Sequence, residues 1–423
     1  MHITALKGFK DILPEEAAIW QRIESTARDV FQRFGFKEIK VPILEKTALF
    51  ARSIGETTDI VEKEMYTFID RNGESLTMRP EGTASVLRAF IEHSLQNQQA
   101  VQKLFTFGPM FRHERPQKGR LRQFHQMSIE ALGADRPELD AEILAMAALV
   151  LTELGLKVSL EINSLGCPKC RPAFNQALLV FLEDKKDALC EDCQRRRLKN
   201  PLRVLDCKSS NCQEYYRKAP SIIAHLCPEC TDHFQTVQAG LKAMAIPYTI
   251  NSFMVRGLDY YTRTTFELLT DTLGAQSAVG AGGRYDGLLK QLGGPDLPGI
   301  GFAMGMERLV LMLQQQETDQ VPAQTGLFIA ALGDRARTMG FGMAHGLRCR
   351  GLQVLMDYAD GSLKSQMKQS GKQNCRHTLI LGDDELNKGE ATLRDMTTRN
   401  QEAIPLPGVI DEWCAMLAKK VQP

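Results

Sequence analysis

The chain contains no apolar run as long as the ~18 residues of a membrane span. Its opening, MHITALKGFKDILPEE, holds no apolar stretch between a basic flank and a small-residue cleavage site. Both absences point to a soluble, cytoplasmic protein. Net charge is nearly absent too: 52 Lys plus Arg against 51 Asp plus Glu leave +1. Composition therefore announces no polyanionic partner, and any nucleic-acid site must be a local patch. Neither G-x-G-x-x-G nor G-x-x-x-x-G-K-[ST] occurs, which leaves a Rossmann or P-loop reading without support. No internal repeat is visible. What remains is a chain of 423 residues, 43% hydrophobic and 24% charged, unlike a disordered or fibrous protein. Its length suits two or three domains of roughly 150 residues.

The cysteines are unevenly placed. Of 11, eight fall between Cys167 and Cys230, while Cys349, Cys375 and Cys414 are scattered near the end. Cys167/Cys170, Cys190/Cys193 and Cys227/Cys230 are C-x-x-C pairs, and Cys207 with Cys212 makes a looser fourth. C-x-x-C lets two thiolates point at one tetrahedral ion, so these eight residues are candidate ligands of one or two structural Cys₄ zinc sites. Reduced buried thiols, or a disulfide formed on oxidation, are the plainer reading. His225 and His233 read as surface or core residues, not ligands.

Periodicity organises the rest. Ile19, Trp20, Ile23, Ala27, Val30, Phe31 and Phe34 recur at helical spacing between Pro14 and Gly35. Ile39, Val41 and Ile43 alternate as a strand, and Pro42 marks it as an edge or a bulge, a common place for a dimer to form. Short strands follow at Met65 to Ile69 and Leu76 to Arg79 around an Asn72-Gly73 turn, then at Leu104 to Phe111 and Gln123 to Glu130. Residues 165–248 carry the cysteines, a basic run (Arg195, Arg196, Arg197, Lys199) and little strand pattern, and read as a mostly helical insertion. Strand signals resume at Tyr248 to Phe253, Thr264 to Leu269 and Gly299 to Ala303, before an apolar helix over Met306 to Leu313. Beyond the polar linker QQQETDQVPAQTG, strands and helices alternate, which predicts a small α/β domain with a largely parallel sheet.

The loop F-R-H-E-R-P-Q-K-G-R-L-R-Q-F crowds Arg112, His113, Arg115, Lys118, Arg120 and Arg122 around one acid, Glu114. Forked guanidinium donors suit phosphate oxygens; the plainer reading is a solvated basic loop. Gln126, Ser128 and Glu130 share one face of their strand. A buried carboxylate there needs a cation, which a substrate ammonium or a structural Arg would supply. R-G-L-D-Y-Y (Arg256 to Tyr261) and A-G-G-R-Y-D-G-L (Ala281 to Leu288, with Arg284 and Tyr285) read as glycine-rich loops that let backbone approach a ligand. In G-I-G-F-A-M-G-M-E-R-L, Arg308 sits in the first turn of a helix, where close helix–sheet packing is the plainer explanation of the glycines.

Taken in order, these segments resemble the class II aminoacyl-tRNA synthetases and, within them, the histidine-specific family. The helix and strand through V-P-I-L-E resemble the dimer-forming motif. R-P-E-G-T (Arg79 to Thr83), G-P-M-F-R-H-E-R-P-Q-K-G-R and G-F-A-M-G-M-E-R-L resemble the substrate and ATP motifs, and R-G-L-D-Y-Y and A-G-G-R-Y-D-G the histidine-specific segments. The cysteine cluster departs from the better-known pattern. The resemblance implies an α+β fold, with an antiparallel six-stranded catalytic sheet flanked by helices over 1–320. A Cys-rich, mostly helical insertion over 165–248 interrupts it, and a C-terminal α/β anticodon-binding domain follows over 325–423.

It also implies a chemistry: histidine and ATP give histidyl-adenylate, and the acyl group passes to tRNA(His). Arg112 and Arg256 would be catalytic at the α-phosphate, with Glu114 and Arg308 completing the ATP site and Mg²⁺ bridging phosphate oxygens. Glu81, Thr83 and Gln126 would bind the substrate ammonium, Glu130 and Tyr261 the imidazole, with Tyr260 on the same wall. Arg115, Gln117 and Arg122 would face the tRNA acceptor end, in a homodimer. Two alternatives are a non-catalytic regulatory subunit of ATP phosphoribosyltransferase and a class II synthetase for another amino acid. Arg112, Arg256, Arg308 and the C-terminal domain weigh against the first, and Arg256 to Tyr261 against the second.

Overall fold

The computed structural model describes residues 3–55, 58–184, 186–207, 209–274, 277–316, 326–406 and 408–421. The expected linker lies mostly outside them. The chain divides into two compact units, Met1–Thr318 and Asp319–Pro423.

The helix Pro14–Arg33 starts with proline in its first turn, followed by Glu15 and Glu16, where the helix dipole favours acids. It ends at Gly35, whose φ of +81° only glycine adopts without strain. Trp20, Ile23, Ala27, Val30 and Phe31 face the core, and each large side chain so buried stabilises by about 1.5–3 kcal/mol.

The segment from Ile39 to Ile43 is not the single strand that alternation predicts. Lys37–Glu38 pairs in parallel with Leu104 and Phe105, and the Ile39 N–H donates to Phe105 O at 2.8 Å. Pro42 has no N–H to continue a ladder. The chain leaves this sheet and Leu44–Lys46 joins Ser75–Met78 and Tyr66–Ile69 in a separate three-stranded sheet. Arg79 staples the two regions, donating from Nε to Pro109 O (2.9 Å) and from Nη1 to Val41 O (3.0 Å).

The large sheet has eight strands, ordered Lys37–Glu38, Gln102–Phe111, Gln123–Leu132, Gly299–Gly305, Ala278–Arg284, Thr262–Leu269, Ser159–Ser164 and Thr249–Ile250. Its six inner strands are antiparallel, as expected, and each edge adds one short parallel strand. A-G-G-R is not a loop but part of the strand Ala278–Arg284. A Cβ on Gly282 would lie 2.2 Å from Gly301 O, so glycine serves strand-to-strand approach here rather than a turn. Helices Pro14–Arg33, Pro137–Glu153 and Met306–Gln316 bury their apolar sides against the sheet in one continuous core.

Between the strand Ser159–Ser164 and Thr249–Ile250 run helices Arg171–Glu183, Glu191–Lys199, Ser210–Tyr216 and Pro228–Ala243. The first three share a small core of their own around Phe174, Leu178, Leu182, Val204 and Tyr216. The last joins the main core through Phe234, Val237 and Leu241.

The second unit has the strand order Val354–Met356, Leu327–Ala331, His377–Leu381, Glu390–Asp395, Gln401–Pro405. The first three are parallel, but the last two are antiparallel, so the sheet is mixed rather than largely parallel. Gln401–Pro405 is exposed except at Ile404 and gives little alternation to read, while Glu390–Asp395 buries only Ala391 and Leu393 between half-buried polar residues. Trp413 and Leu417, fully buried on the helix Ile410–Val421, anchor this second core.

Candidate active site

Long hairpin strands carry the amino-acid side of the site. Gln102–Phe111 and Gln123–Leu132 pair from Phe111 opposite Gln123 to Gln102 opposite Leu132. That register puts Gln126, Ser128 and Glu130 on the face looking toward Glu81 and Thr83, at the start of the helix Thr83–Glu92. Thr83 Oγ1 donates to Glu130 Oε1 at 2.7 Å. Glu81 accepts from the Ala84 N–H (3.0 Å) and from Tyr260 Oη (3.1 Å). Gln126 Oε1 is buried with no hydrogen-bond partner. A buried acceptor left empty costs about 1–3 kcal/mol, so it marks a place where a donor is missing. A ligand ammonium is one donor that would fit there.

Glu130 is 1% exposed and has two hydroxyl partners, Thr83 and Tyr285. Burial pushes its carboxyl up from 4.5 to about 8, against the opposing pull of those hydroxyls. The Tyr285 hydroxyl donates to it, while Tyr261 packs tilted against Tyr260, ring centroids 4.7 Å apart, and lies under the Arg256 guanidinium. Spacing had placed Tyr285 only beside a glycine-rich segment. Gly301 makes room on the other side, since a Cβ there would sit 2.2 Å from Glu130 Oε2.

This carboxyl sets a pH dependence. Its native pKa lies above its unfolded one, so from about pH 4.5 to about 8 the native state holds a proton that the unfolded state has lost, and stability falls as pH rises through that window. Glu130→Gln should remove a slope on the order of 1 kcal/mol per pH unit. Denaturant titrations across the window check this; identical slopes for both proteins would remove the raised carboxyl.

Three partly buried arginines from distant segments, Arg112, Arg256 and Arg308, make the cationic side of the site. Arg112 donates from Nε to Pro80 O (2.9 Å) and lies 5.2 Å over the Phe124 ring. Arg256 pairs with Glu267, on the neighbouring strand Thr262–Leu269. Burial works against the Arg256 charge, but Tyr261, Glu267 and Tyr260 outweigh it and hold its pKa up. Arg308 donates from Nε to Gly119 O (3.3 Å) and from Nη1 to Ala278 O. Burial lowers its pKa, repulsion from Arg120 and Arg112 adds to this, and Glu267 opposes it. Arg112 and Arg308 thus feel one another, while Arg256 and Arg308 both feel Glu267. Such a cluster of like charge, with its burial cost, suits a polyanion. Glu267 is a second residue that spacing alone did not single out; its signal is a lone acid in the apolar run F-E-L-L.

The basic loop is more ordered than a solvated charge run. Glu114 is buried and pairs with Arg120, with Arg112 Nη1 at 3.9 Å. Arg122 is half-buried: its Nε donates to Glu114 O (3.1 Å) and its N–H to Gly8 O (2.8 Å). Arg115 and Gln117 are exposed beside a turn in which Gln117 and Arg120 bridge. Arg284 does not approach the pocket. It is fully buried on Asp140 (2.6 Å) and donates to Ala134 O (3.1 Å) and Arg136 O (3.2 Å). The eight cysteines form two tetrads, Cys167/Cys170/Cys227/Cys230 and Cys190/Cys193/Cys207/Cys212, with the ligand atoms of each within 4.8 Å of one another.

Comparison with known proteins accords with this geometry. Residues 8–309 match the family described as histidyl-tRNA synthetase, and residues 327–413 the anticodon binding domain. A histidine–tRNA ligase of Desulfotalea psychrophila is 56% identical over 423 residues, covering all of this chain and 97% of its own. One from Geobacter sulfurreducens is 57% identical over 405 residues, 96% of this chain and 97% of its own. The apo structure of the S. aureus histidyl-tRNA synthetase superposes with a TM-score of 0.82 at 37% identity, covering 98% of this chain and all of that one. A site with room for an ammonium beside a polyanion, in a chain alike along its whole length, leads to one conclusion: the chain belongs to the histidyl-tRNA synthetase family.

Proposed function

We propose that this protein activates L-histidine with ATP and transfers it to tRNA(His). The observation that carries the reading is the meeting of the Arg112, Arg256 and Arg308 cluster with a pocket that holds an unpartnered acceptor, Gln126 Oε1, and a buried carboxyl, Glu130. In the first step the histidine carboxylate attacks the α-phosphorus of ATP, the bond to the β-phosphate oxygen breaks, and pyrophosphate leaves. In the second a hydroxyl of the terminal ribose of tRNA attacks the histidyl carbonyl and AMP leaves.

Neither step needs a protein nucleophile; both need alignment and stabilisation of charge at phosphorus. Arg112 and Arg256 are assigned to the α-phosphate and Arg308 to the γ-phosphate, with Glu114 holding the loop arginines in place. Glu81, Thr83 and Gln126 take the ammonium. Glu130 takes one imidazole nitrogen, with Tyr285 orienting it, and Tyr261 the other, with Tyr260 on the same wall. A pocket that bonds both ring nitrogens leaves its own polar groups stranded by an apolar analogue, which gives discrimination of about 10⁴ or more. Mg²⁺, when bound, would neutralise phosphate charge in the family's ATP chemistry.

The C-terminal unit is assigned to the anticodon, and Arg115, Gln117 and Arg122 to the acceptor end. A homodimer is part of the reading: Ile43 and Leu44, where the chain crosses between sheets, are 40% and 44% exposed. No helix among the described residues is long and apolar enough to cross a membrane, and we assign the protein to the cytoplasm. The regulatory-subunit alternative is not favoured, given full-length relatives named histidine–tRNA ligase.

Histidine-dependent ATP–pyrophosphate exchange tests the proposal directly; exchange that ignores histidine would end it. Arg115→Ala should leave that exchange near normal while lowering tRNA charging several-fold, because the exposed guanidinium is placed to meet phosphate. Equal loss in both assays would put Arg115 elsewhere.

A further inference from the structure

The eight insertion cysteines are all free, and their spacing has a specific meaning. Cys167 Sγ lies 3.7 Å from Cys170 Sγ and 3.9 Å from Cys227 Sγ, and Cys190 Sγ lies 3.7 Å from Cys207 Sγ. Four thiolates at ~2.3 Å from one tetrahedral ion stand ~3.8 Å apart along each edge. Backbone donors are aimed at the sulfurs: the Cys227 N–H at Cys170 Sγ (3.1 Å), the Cys190 N–H at Cys212 Sγ (3.3 Å), and the Ser209 N–H at Cys207 Sγ (3.4 Å). Such donors favour thiolate over thiol. Gly166, at φ +62°, is needed for the first turn, because a Cβ there would sit 2.8 Å from Cys170 Cβ. The pairing is nested. The first tetrad ties the start of the insertion to the helix Pro228–Ala243, and the second closes between Cys190 and Cys212. The lobe between them has a small apolar core, of the size that usually needs a metal or a disulfide for stability.

What the two tetrads hold faces the histidine loop. Arg171, the residue after Cys170, donates to Tyr261 O. Asn200 and Arg203, between Cys193 and Cys207, both donate to Asp259 Oδ1, at 3.1 and 3.3 Å, and Arg203 Nη2 donates to Gly257 O at 2.6 Å. The segment from Arg256 to Tyr261 is thus pinned from the insertion at Gly257, Asp259 and Tyr261, across a cavity of about 350 Å³ that also exposes Arg256.

We propose that the insertion binds two Zn²⁺ ions, one per cysteine tetrad, and that they position the catalytic Arg256–Tyr261 segment through Arg171, Asn200 and Arg203. The second half rests on the histidine-activating reading above; the first does not. Arg171, Asn200 and Arg203 are positioning residues, since none is assigned to substrate. Closed Cys₄ sites hold no open position for chemistry, so the ions act by fixing geometry. A displacement of about 1 Å at reacting groups is enough to cost ~10² in rate.

Elemental analysis of the full chain purified without chelator should find two zinc per chain, and Cys212→Ser should lower this to one. Cobalt loaded in place of zinc should give the absorption of tetrahedral thiolate coordination. Histidine-dependent exchange should fall about tenfold or more in kcat/KM for Cys212→Ser. Because that variant can fail to fold, Arg203→Ala is the second arm: two zinc retained, kcat/KM for histidine lowered, partial rescue by Arg203→Lys. Fewer than two zinc in the wild type, or iron in their place, overturns the metal assignment. Two zinc with unchanged histidine kinetics in Arg203→Ala overturns the coupling. Two zinc in a protein with no histidine-dependent exchange leaves the metal sites standing and removes the functional reading instead.

Discussion

Arg256→Ala should lower the rate of histidyl-adenylate formation by about 10²–10³, equivalent to roughly 3–4 kcal/mol, the scale of removing one aimed donor from a developing oxyanion. The size follows from where the guanidinium is held. It pairs with Glu267, lies 5.5 Å from the Tyr261 ring centroid, and shares its neighbourhood with Arg308. Its Nε is buried without a hydrogen-bond partner. Loss of the side chain also strands Glu267, a largely buried carboxylate, so part of any measured loss could be structural. Arg256→Ala combined with Glu267→Gln separates the two: the double variant should regain stability without regaining rate. Single-turnover adenylate formation is the measurement, with denaturant midpoints alongside. Near-normal turnover by Arg256→Ala would remove Arg256 from the α-phosphate.

The second large effect is on stability. Arg284→Met should destabilise the protein by about 3–5 kcal/mol, the cost of removing one partner from a buried ion pair. Arg284 and Asp140 are both fully buried, and the guanidinium also satisfies two carbonyls, those of Ala134 and Arg136. Burial already raises the Asp140 carboxyl to about 6 against the pull of Arg284. Without the arginine it rises further, and the native state then binds a proton at neutral pH that the unfolded state does not. Stability of the variant should therefore fall more steeply with rising pH than that of the wild type. Asp140→Leu added to Arg284→Met should recover much of the loss, because two apolar groups leave no stranded charge. Urea denaturation of the three proteins reads this directly. A loss below about 1 kcal/mol, the level of an exposed pair, would contradict the buried geometry.

The two arginines show how far residue patterns reach. Arg256 and Arg284 both sit in glycine-bearing strings beside tyrosines, and nothing in the letters distinguishes a phosphate-facing guanidinium from one locked in the core. The difference arises in register. Arg284 ends a strand whose pairing with Gly299–Gly305 and Thr262–Leu269 turns it toward the helix Pro137–Glu153. Tyr285, the next residue, then points the other way, onto Glu130. A one-residue change of phase reverses both assignments.

Local chemistry alone determined the helix Pro14–Arg33, the long hairpin with its basic loop, the apolar helix after Gly305, the alternation that opens the C-terminal unit, and the motifs that carry the family resemblance. These depend on periodicity, proline and glycine, which act over a few residues. Only the tertiary structure decided the rest. Pro42 sends its segment to a second sheet instead of extending the first, and the glycines of A-G-G-R lie in a central strand because another backbone passes close by. The Tyr285 hydroxyl reaches Glu130, and eight cysteines sort into two nested tetrads. Each of these outcomes is set by groups distant in the chain that meet only on folding, and a local pattern holds no record of what will stand across from it.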